Sequence, residues 1–185
     1  LLGSRGLGDV YKRQIQYSAK DGIVASASNI DINNVIVKNS GDDGIVISSS
    51  STTLENSTIH NNADDGIVLV ANAFIYKNTI KSNSGIGINI GEGSDYARIV
   101  SNTIDDNDGY GVYVHESHHV KLNSNVIEDN EDYGLELRFA NFTQVHNNSV
   151  DDNDGGIKFV STKYSNITKS SFNLSLIHIS EPTRP

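Results

Sequence analysis

The sequence contains no cysteine, no methionine and no tryptophan, and only 2 prolines among its 185 residues. The absence of cysteine excludes a disulfide framework. Because aromatic residues make up 7% of the chain, any core has to be mainly aliphatic and β-branched. No apolar stretch is long enough to cross a bilayer as a helix, so we expect no membrane insertion.

Positive charge is also scarce. The formal net charge is −9, and the basic residues form no continuous stripe. Such a surface repels phosphates, so we expect no nucleic-acid partner. Glycine, asparagine, serine and aspartate are abundant instead, a composition that suits short strands joined by tight turns. A chain of this length fits one domain.

The two ends of the chain can be read as translations of complementary DNA strands. A DNA segment that encodes SRGLGDVYKRQ at 4–14 has a reverse complement that encodes LSLIHISEPTR at 174–184. That DNA resembles a transposase-delivered sequencing adaptor. We therefore predict non-native flanks at 1–14 and 174–185 and a native segment at 15–173, with any signal peptide outside this sequence.

Between these ends the chain repeats every 21–24 residues. The marker of each repeat is a glycine followed by an apolar residue: Gly44, Gly66, Gly87, Gly111, Gly134 and Gly156. Two apolar columns keep the same step, one being Leu54, Ile75, Ile99, Leu122 and Val145, the other Ile59, Ile80, Ile104, Ile127 and Val150. The apolar segments are too short and too β-branched for helices. The repeat predicts an all-β parallel β-helix (a solenoid) of about six to seven coils, with three short strands per coil.

Two columns of asparagine accompany the apolar ones. The first is Asn78, Asn102, Asn125 and Asn148, and the second is Asn62, Asn83, Asn107, Asn130 and Asn153. Asparagine tolerates the left-handed backbone conformation better than other non-glycine residues, so we expect these residues to form the bends. Stacked amides also hydrogen-bond along the stacking direction. The columns therefore predict asparagine ladders at the corners.

With these columns, residues 15–173 resemble the right-handed parallel β-helix repeat families of the broad pectate-lyase-like superfamily. The resemblance implies a right-handed solenoid and, most often, a carbohydrate-directed role such as polysaccharide lyase, hydrolase or uronate epimerase. We therefore expect a secreted, cell-surface or periplasmic protein with a polysaccharide partner. Because this scaffold hosts unrelated functions, enzymatic activity and oligomeric state stay open.

Adjacent carboxylates occupy the corner before two of the repeated glycines. Asp42 and Asp43 in GDDGIVI resemble the paired aspartates of polygalacturonase-type hydrolases, which act as general acid and base. Asp64 and Asp65 repeat the pair one coil later, which favours a turn preference over an active site. Carboxylates on adjacent coils would lie within reach of one Ca²⁺ ion. We expect no required cofactor, with Ca²⁺ as an optional ligand of these four residues.

Three of the 6 histidines lie in VHESHHV at 114–120. Adding one repeat to His115 gives Arg138, so these two side chains should be neighbours. A histidine can remove a proton from a uronate, and an arginine can neutralise its carboxylate. We predict His115 or His118 as the base and Arg138 as the neutralising residue. The residues predicted to bind substrate are Glu92, Asp95 and Glu116.

Other interpretations of this segment stay open. Its histidines and carboxylate also suit Zn²⁺ or Cu²⁺, and the segment fits an ordinary polar loop. Because consecutive strand residues face opposite sides, only one of His118 and His119 can join a site. A uronate lyase or epimerase therefore competes with a non-catalytic module of an adhesin or tailspike. A third alternative is a copper-site maturation factor, although the chain lacks soft sulfur ligands for Cu⁺.

Overall fold

Short strands and turns make up the entire described part of the chain. The computed structural model describes residues 13–173 and 177–180, with side chains described for 13–173. These residues form 23 strands and no helix. Each coil gives one strand to each of three parallel sheets, which confirms the predicted all-β solenoid with three strands per coil.

The strands are numbered in chain order and pair with their equivalents in the next coil. Sheet I contains β1 (Arg13–Gln16), β4 (Val35–Lys38), β7 (Thr58–His60), β10 (Thr79–Lys81), β13 (Thr103–Asp105), β16 (Val126–Glu128), β19 (Ser149–Asp151) and β22 (Ser171–Asn173). Sheet II contains β2 (Ile23–Ala25), β5 (Ile45–Ile47), β8 (Ile67–Leu69), β11 (Ile88–Ile90), β14 (Val112–His115), β17 (Tyr133–Arg138), β20 (Gly155–Val160) and β23 (Ile177–Ser180). Sheet III contains β3 (Asp31–Asn33), β6 (Thr52–Glu55), β9 (Ala73–Tyr76), β12 (Arg98–Val100), β15 (Lys121–Asn123), β18 (Gln144–His146) and β21 (Asn166–Thr168).

The apolar columns of the sequence form the core. Strand pairing aligns Ile59, Ile80, Ile104 and Ile127 in one row, and all four side chains are 0% exposed. The second column is equally buried and aligned in sheet III. Since burying an isoleucine side chain is worth about 1.5–3 kcal/mol, these rows supply much of the stability.

The asparagine columns form buried ladders, as predicted. Asn62 Nδ2 donates to Asn83 Oδ1 at 2.8 Å, and Asn83 Nδ2 donates to Asn107 Oδ1 at 2.9 Å. The same bond joins Asn107 to Asn130 at 2.9 Å. Each Oδ1 also accepts the backbone N–H of the preceding asparagine in the column. Each amide oxygen therefore accepts hydrogen bonds from both the backbone N–H and the side-chain Nδ2 of its neighbour.

The expectation that the ladder asparagines adopt the left-handed conformation is wrong. In the second column that conformation belongs to the residue before each ladder asparagine, namely Asn61, Ser82, Asp106, Asp129 and Asp152. The ladder amide has to point inward to meet the next coil, so the preceding residue makes the bend instead. The bend position accordingly accepts several residue types.

The sheets extend beyond the predicted native segment. Arg13–Gln16 pairs with β4, and Ile177–Ser180 pairs with β20, so β1 lies partly within the first predicted flank and β23 lies within the second. Residues 1–12, 174–176 and 181–185 lie outside the described part, and the origin of the flanks stays a prediction. None of the described residues forms a helix with the length and apolar character needed to span a membrane.

Candidate functional site

The outward face of sheet II carries a group of titratable side chains from adjacent coils. In β14 the buried Val112 and Val114 face the core, so Tyr113 and His115 face outward. Pairing with β17 places His115 beside Arg138, which is the predicted adjacency. The same register places Tyr113 beside Glu136. One coil further, Glu136 is paired with Lys158.

A buried carboxylate lies at the centre of this face. The Glu136 side chain is 0% exposed although it points away from the core. Its Oε1 accepts from Arg138 Nε at 2.9 Å and lies 2.9 Å from Nη2. Its Oε2 lies 3.0 Å from Lys158 Nζ, yet the geometry leaves Oε2 without a hydrogen bond. Two cations thus flank one anion, so these three side chains together carry a net charge of +1.

Aromatic rings cover this ion-paired group. Tyr110 and Tyr113 stack with 5.1 Å between ring centroids, and Tyr113 stacks on His115 at 5.0 Å. Burial, followed by the charges of Glu136 and Asp132, raises the pKa of Tyr110, so its hydroxyl stays protonated. We name this group the Glu136 cluster; its members are Tyr110, Tyr113, His115, Glu136, Arg138 and Lys158.

The glycine at position 91 makes room for His115. A Cβ at this position would lie 3.2 Å from His115 Nε2 and 3.4 Å from the Leu69 carbonyl oxygen. The imidazole edge therefore lies so close to Gly91 that a larger residue here would require His115 to shift by a few tenths of an ångström. This places Nε2 of the predicted base over the preceding coil, at the edge of the cluster.

An open groove of about 670 Å³ adjoins the cluster at the corner between sheets II and III. We name it the corner groove; its lining residues are Glu92, Glu116, His118, Phe139, Asn141, Ser161 and Lys163. Glu116 directly follows His115, and Phe139 directly follows Arg138. The groove therefore begins one residue beyond the cluster on two adjacent coils.

Three side chains along the groove accept hydrogen bonds from backbone N–H groups of the next coil, which fixes the position of the groove wall. Asp95 Oδ1 accepts from the His118 N–H at 2.6 Å, and His118 Nδ1 accepts from the Asn141 N–H at 3.1 Å. Asn141 Oδ1 accepts from the Lys163 N–H at 2.8 Å. Since Nδ1 of His118 is an acceptor, the hydrogen bonding assigns the proton of the neutral ring to Nε2.

The structure divides the predicted site residues between two places. His115 and Arg138 belong to the Glu136 cluster, whereas His118, Glu92 and Glu116 line the corner groove. Asp95 lies behind the groove as a partner of His118. Their roles in binding or catalysis stay predictions.

His119 faces away from the groove and joins a separate stack of rings. Its neighbours in that stack are Tyr96, Phe142 and Tyr164, with ring centroids 4.8–5.0 Å apart. Of the two consecutive histidines, only His118 therefore lines the groove.

The four aspartates predicted to bind a metal also lie together. Ligand oxygens of Asp43, Asp64 and Asp65 are within 4.8 Å of one another, as are those of Asp21, Asp42 and Asp43. Burial, followed by the charge of Asp65, raises the pKa of Asp43 to about 7. Asp43 Oδ1 also accepts from the Asp65 N–H at 3.0 Å. Ca²⁺ binding at this corner stays a prediction.

Sequence reasoning missed two members of the Glu136 cluster, namely Glu136 and Lys158. A signal was present, because adding one repeat to Tyr113 gives Glu136 and a second repeat gives Lys158. One repeat was added to His115, a titratable residue, but not to Tyr113. The missed residues look ordinary until the register brings them together.

Comparison with known proteins identifies the family. The class defined by the fold is a parallel β-helix with a charged outward face on one sheet. Residues 21–172 match the family described as "Right handed beta helix region", and the chain belongs to that family. No curated protein matches the chain significantly.

Several solved structures share the fold. The mannuronan C-5 epimerase AlgE4 A-module of Azotobacter vinelandii has a TM-score of 0.82 and 16% identity, covering 92% of this chain and 56% of that one. The periplasmic alginate epimerase AlgG has a TM-score of 0.74 and 17% identity, covering 85% and 43%. Pectate lyase Pel9A has a TM-score of 0.66 and 13% identity, covering 91% and 58%. The chain thus spans 43–58% of the length of these three structures.

Proposed function

We propose that the chain processes a uronate-containing polysaccharide at the Glu136 cluster, outside the cytoplasm. The observation that carries this proposal is the pair of cations, Arg138 and Lys158, held by the buried Glu136 beside His115. A uronate carboxylate needs such cations when the neighbouring carbon loses a proton, because negative charge then develops on the carboxylate. Three structures with the same fold are named as alginate epimerases or a pectate lyase, which supports the substrate class.

The cluster supplies a candidate base and the positive charge that the reaction requires. His115 removes the C5 proton of the uronate, and the bond electrons move into the carboxylate as an enolate that Arg138 and Lys158 neutralise. Burial and neighbouring carboxylates raise the pKa of Tyr110, which makes its hydroxyl a weak acid, so the returning proton comes from water on the solvent side of the bound sugar. Returning a proton to C5 on the opposite face gives the epimer. Expulsion of the O4 substituent, protonated as it leaves, gives a C4=C5 double bond and a cleaved chain.

The test is incubation of the protein with a panel of uronate polymers in D₂O. Deuterium at C5, measured by NMR, indicates reversible proton removal, and ultraviolet absorbance of the unsaturated product indicates cleavage. We expect His115→Ala to lower the rate by about 10²–10⁴-fold, and Arg138→Ala to lower it by about 10²–10³-fold. His118→Ala should have a smaller effect, because His118 lies in the corner groove.

The matched control is His146→Ala, which removes an outward-facing histidine from sheet III. This variant should keep full activity. Unchanged activity in His115→Ala and Arg138→Ala would exclude the Glu136 cluster as the reaction site. Binding of uronate polymers without deuterium incorporation or cleavage would favour the non-catalytic module instead.

A further inference from the structure

The charges around the site are divided along the axis of the rod. Arg138, Lys158 and Lys163 lie on two adjacent coils near the end of the described part. Glu92 and Glu116 lie on the two coils before them, at the other end of the corner groove. A polysaccharide that follows the groove therefore meets cations at one end and carboxylates at the other.

We propose, on the basis of the proposed function, that the carboxylate end of the corner groove binds an uncharged sugar unit adjacent to the reacting uronate. The substrate is then a heteropolysaccharide in which uronates neighbour neutral sugars. A polymer made only of uronates would place a second carboxylate against Glu92 and Glu116.

The two glutamates of the groove lack any positive partner. Among the ion pairs of the described residues, none involves Glu92 or Glu116. Both side chains are exposed, and neighbouring coils are only about 4.8 Å apart. Two unpaired carboxylates on adjacent coils repel a further anion. They accept hydrogen bonds from sugar hydroxyls, which is the contact that a neutral sugar offers.

The rest of the groove fits the same ligand. Phe139 is 45% exposed and presents an apolar surface against which the carbon-bound hydrogens of a sugar can pack. His118 offers its Nε2–H as a donor, because Nδ1 is already bonded to the Asn141 N–H. A donor, two acceptors and an aromatic ring suit a hydroxyl-rich, uncharged ring.

A bridging cation would be the alternative way to seat a uronate here. In the described part of the chain, the groups of three acidic side chains close enough to share an ion are Asp21, Asp42 and Asp43, and Asp43, Asp64 and Asp65. Neither group includes Glu92 or Glu116. The geometry therefore favours hydroxyl binding by separate carboxylates over a shared metal ion.

The test compares two polymers in the presence of EDTA: a uronate homopolymer and a polymer in which a uronate alternates with a neutral sugar. We expect kcat/KM for wild type to be at least about tenfold higher on the alternating polymer. The Glu92→Gln/Glu116→Gln variant should gain about tenfold on the homopolymer through a lower KM. Glu128→Gln, which removes a carboxylate from sheet I, is the matched control and should change neither value.

The outcomes separate this inference from the proposed function. Equal or faster processing of the homopolymer, unchanged by the double variant, would overturn the neutral subsite and leave the proposed function standing. Homopolymer activity that appears only with added Ca²⁺ would overturn it too, because a cation would then be bridging the carboxylates. Failure to process either polymer would reject the proposed function, and the inference with it.

Discussion

The Asp43 side chain is the individual residue with the clearest effect of pH on stability. Its pKa is raised from 3.8 to about 7 in the folded chain, by burial and by the nearby Asp65. Between these two values the folded chain holds a proton that the unfolded chain has released. Stability from this group is therefore complete below about pH 4 and is lost as the pH rises through about 7.

We predict that Asp43→Asn flattens the dependence of stability on pH. One proton contributes at most about 1.4 kcal/mol per pH unit, and solvent screening of this half-buried group narrows the pH range over which the folded and unfolded chains differ by that proton. Asparagine keeps an oxygen that can accept from the Asp65 N–H. Urea unfolding between pH 4 and pH 8 in EDTA should show the variant as stable as wild type at the low end and more stable at the high end. An unchanged slope would contradict the prediction, and Asp31→Asn on sheet III is the control.

The asparagine ladder shows how an element of the fold depends on single amides. Asn107 Oδ1 accepts from the backbone N–H and the Nδ2 of Asn83. Its own Nδ2 donates to Asn130 Oδ1 and to the carbonyl oxygen of Asp105. Since these groups are buried, removing the Asn107 amide leaves the backbone N–H and the Nδ2 of Asn83 without that acceptor, whereas Asn130 Oδ1 keeps the backbone N–H of residue 107 as its donor.

We predict that Asn107→Leu destabilises the chain strongly. Each orphaned buried donor costs about 1–3 kcal/mol, so the two donors of Asn83 should lower the free energy of unfolding by about 2–6 kcal/mol. Asn123→Leu is the control, because its Oδ1 accepts only from the Ser124 hydroxyl at the surface. Chemical denaturation measures both variants. Equal, small losses in the two would mean that the ladder contributes little.

Much of the whole molecule could be predicted from the sequence because a solenoid repeats. Ile59, Ile80 and Ile104 follow one another at a nearly constant interval, and that interval alone determines which residues stack. The same reasoning paired His115 with Arg138. Local conformation was harder to predict, because the periodic pattern does not reveal which of two adjacent residues, such as Asp106 and Asn107, makes the bend.

The candidate site could be predicted only in part, for a different reason. Glu136 is 0% exposed and has Tyr113 and Lys158 beside it on the neighbouring coils. No pattern in one coil indicates such burial of an outward-facing carboxylate. His115, His118 and His119 lie in three different places, the cluster, the groove and the ring stack. Which place each one occupies depends on the residue at which the backbone turns after β14.

The summed charge of the molecule makes its stability sensitive to ions. The chain has a net charge of −9. On sheet I, burial and then the charges of neighbouring carboxylates raise the pKa of Asp105 and Glu128. Added salt screens this repulsion, because the Debye length falls from about 30 Å at 0.01 M to about 8 Å at 0.15 M. The buried ion pairs of Glu136 are screened much less. We therefore predict that Tm rises over this range of NaCl; an unchanged or lower Tm would contradict the prediction.

Calcium should add a further stabilisation if the Asp43, Asp64 and Asp65 oxygens hold the ion. For a weak site with Kd of about 10⁻⁴–10⁻³ M, 10 mM Ca²⁺ adds about 1–3 kcal/mol. That corresponds to a rise in Tm of about 3–10 °C for a chain of this size. The comparison is with NaCl of equal ionic strength, and Asp43→Asn/Asp65→Asn should lose the difference. Equal Tm values in the two salts would mean that this corner acts through its charge alone.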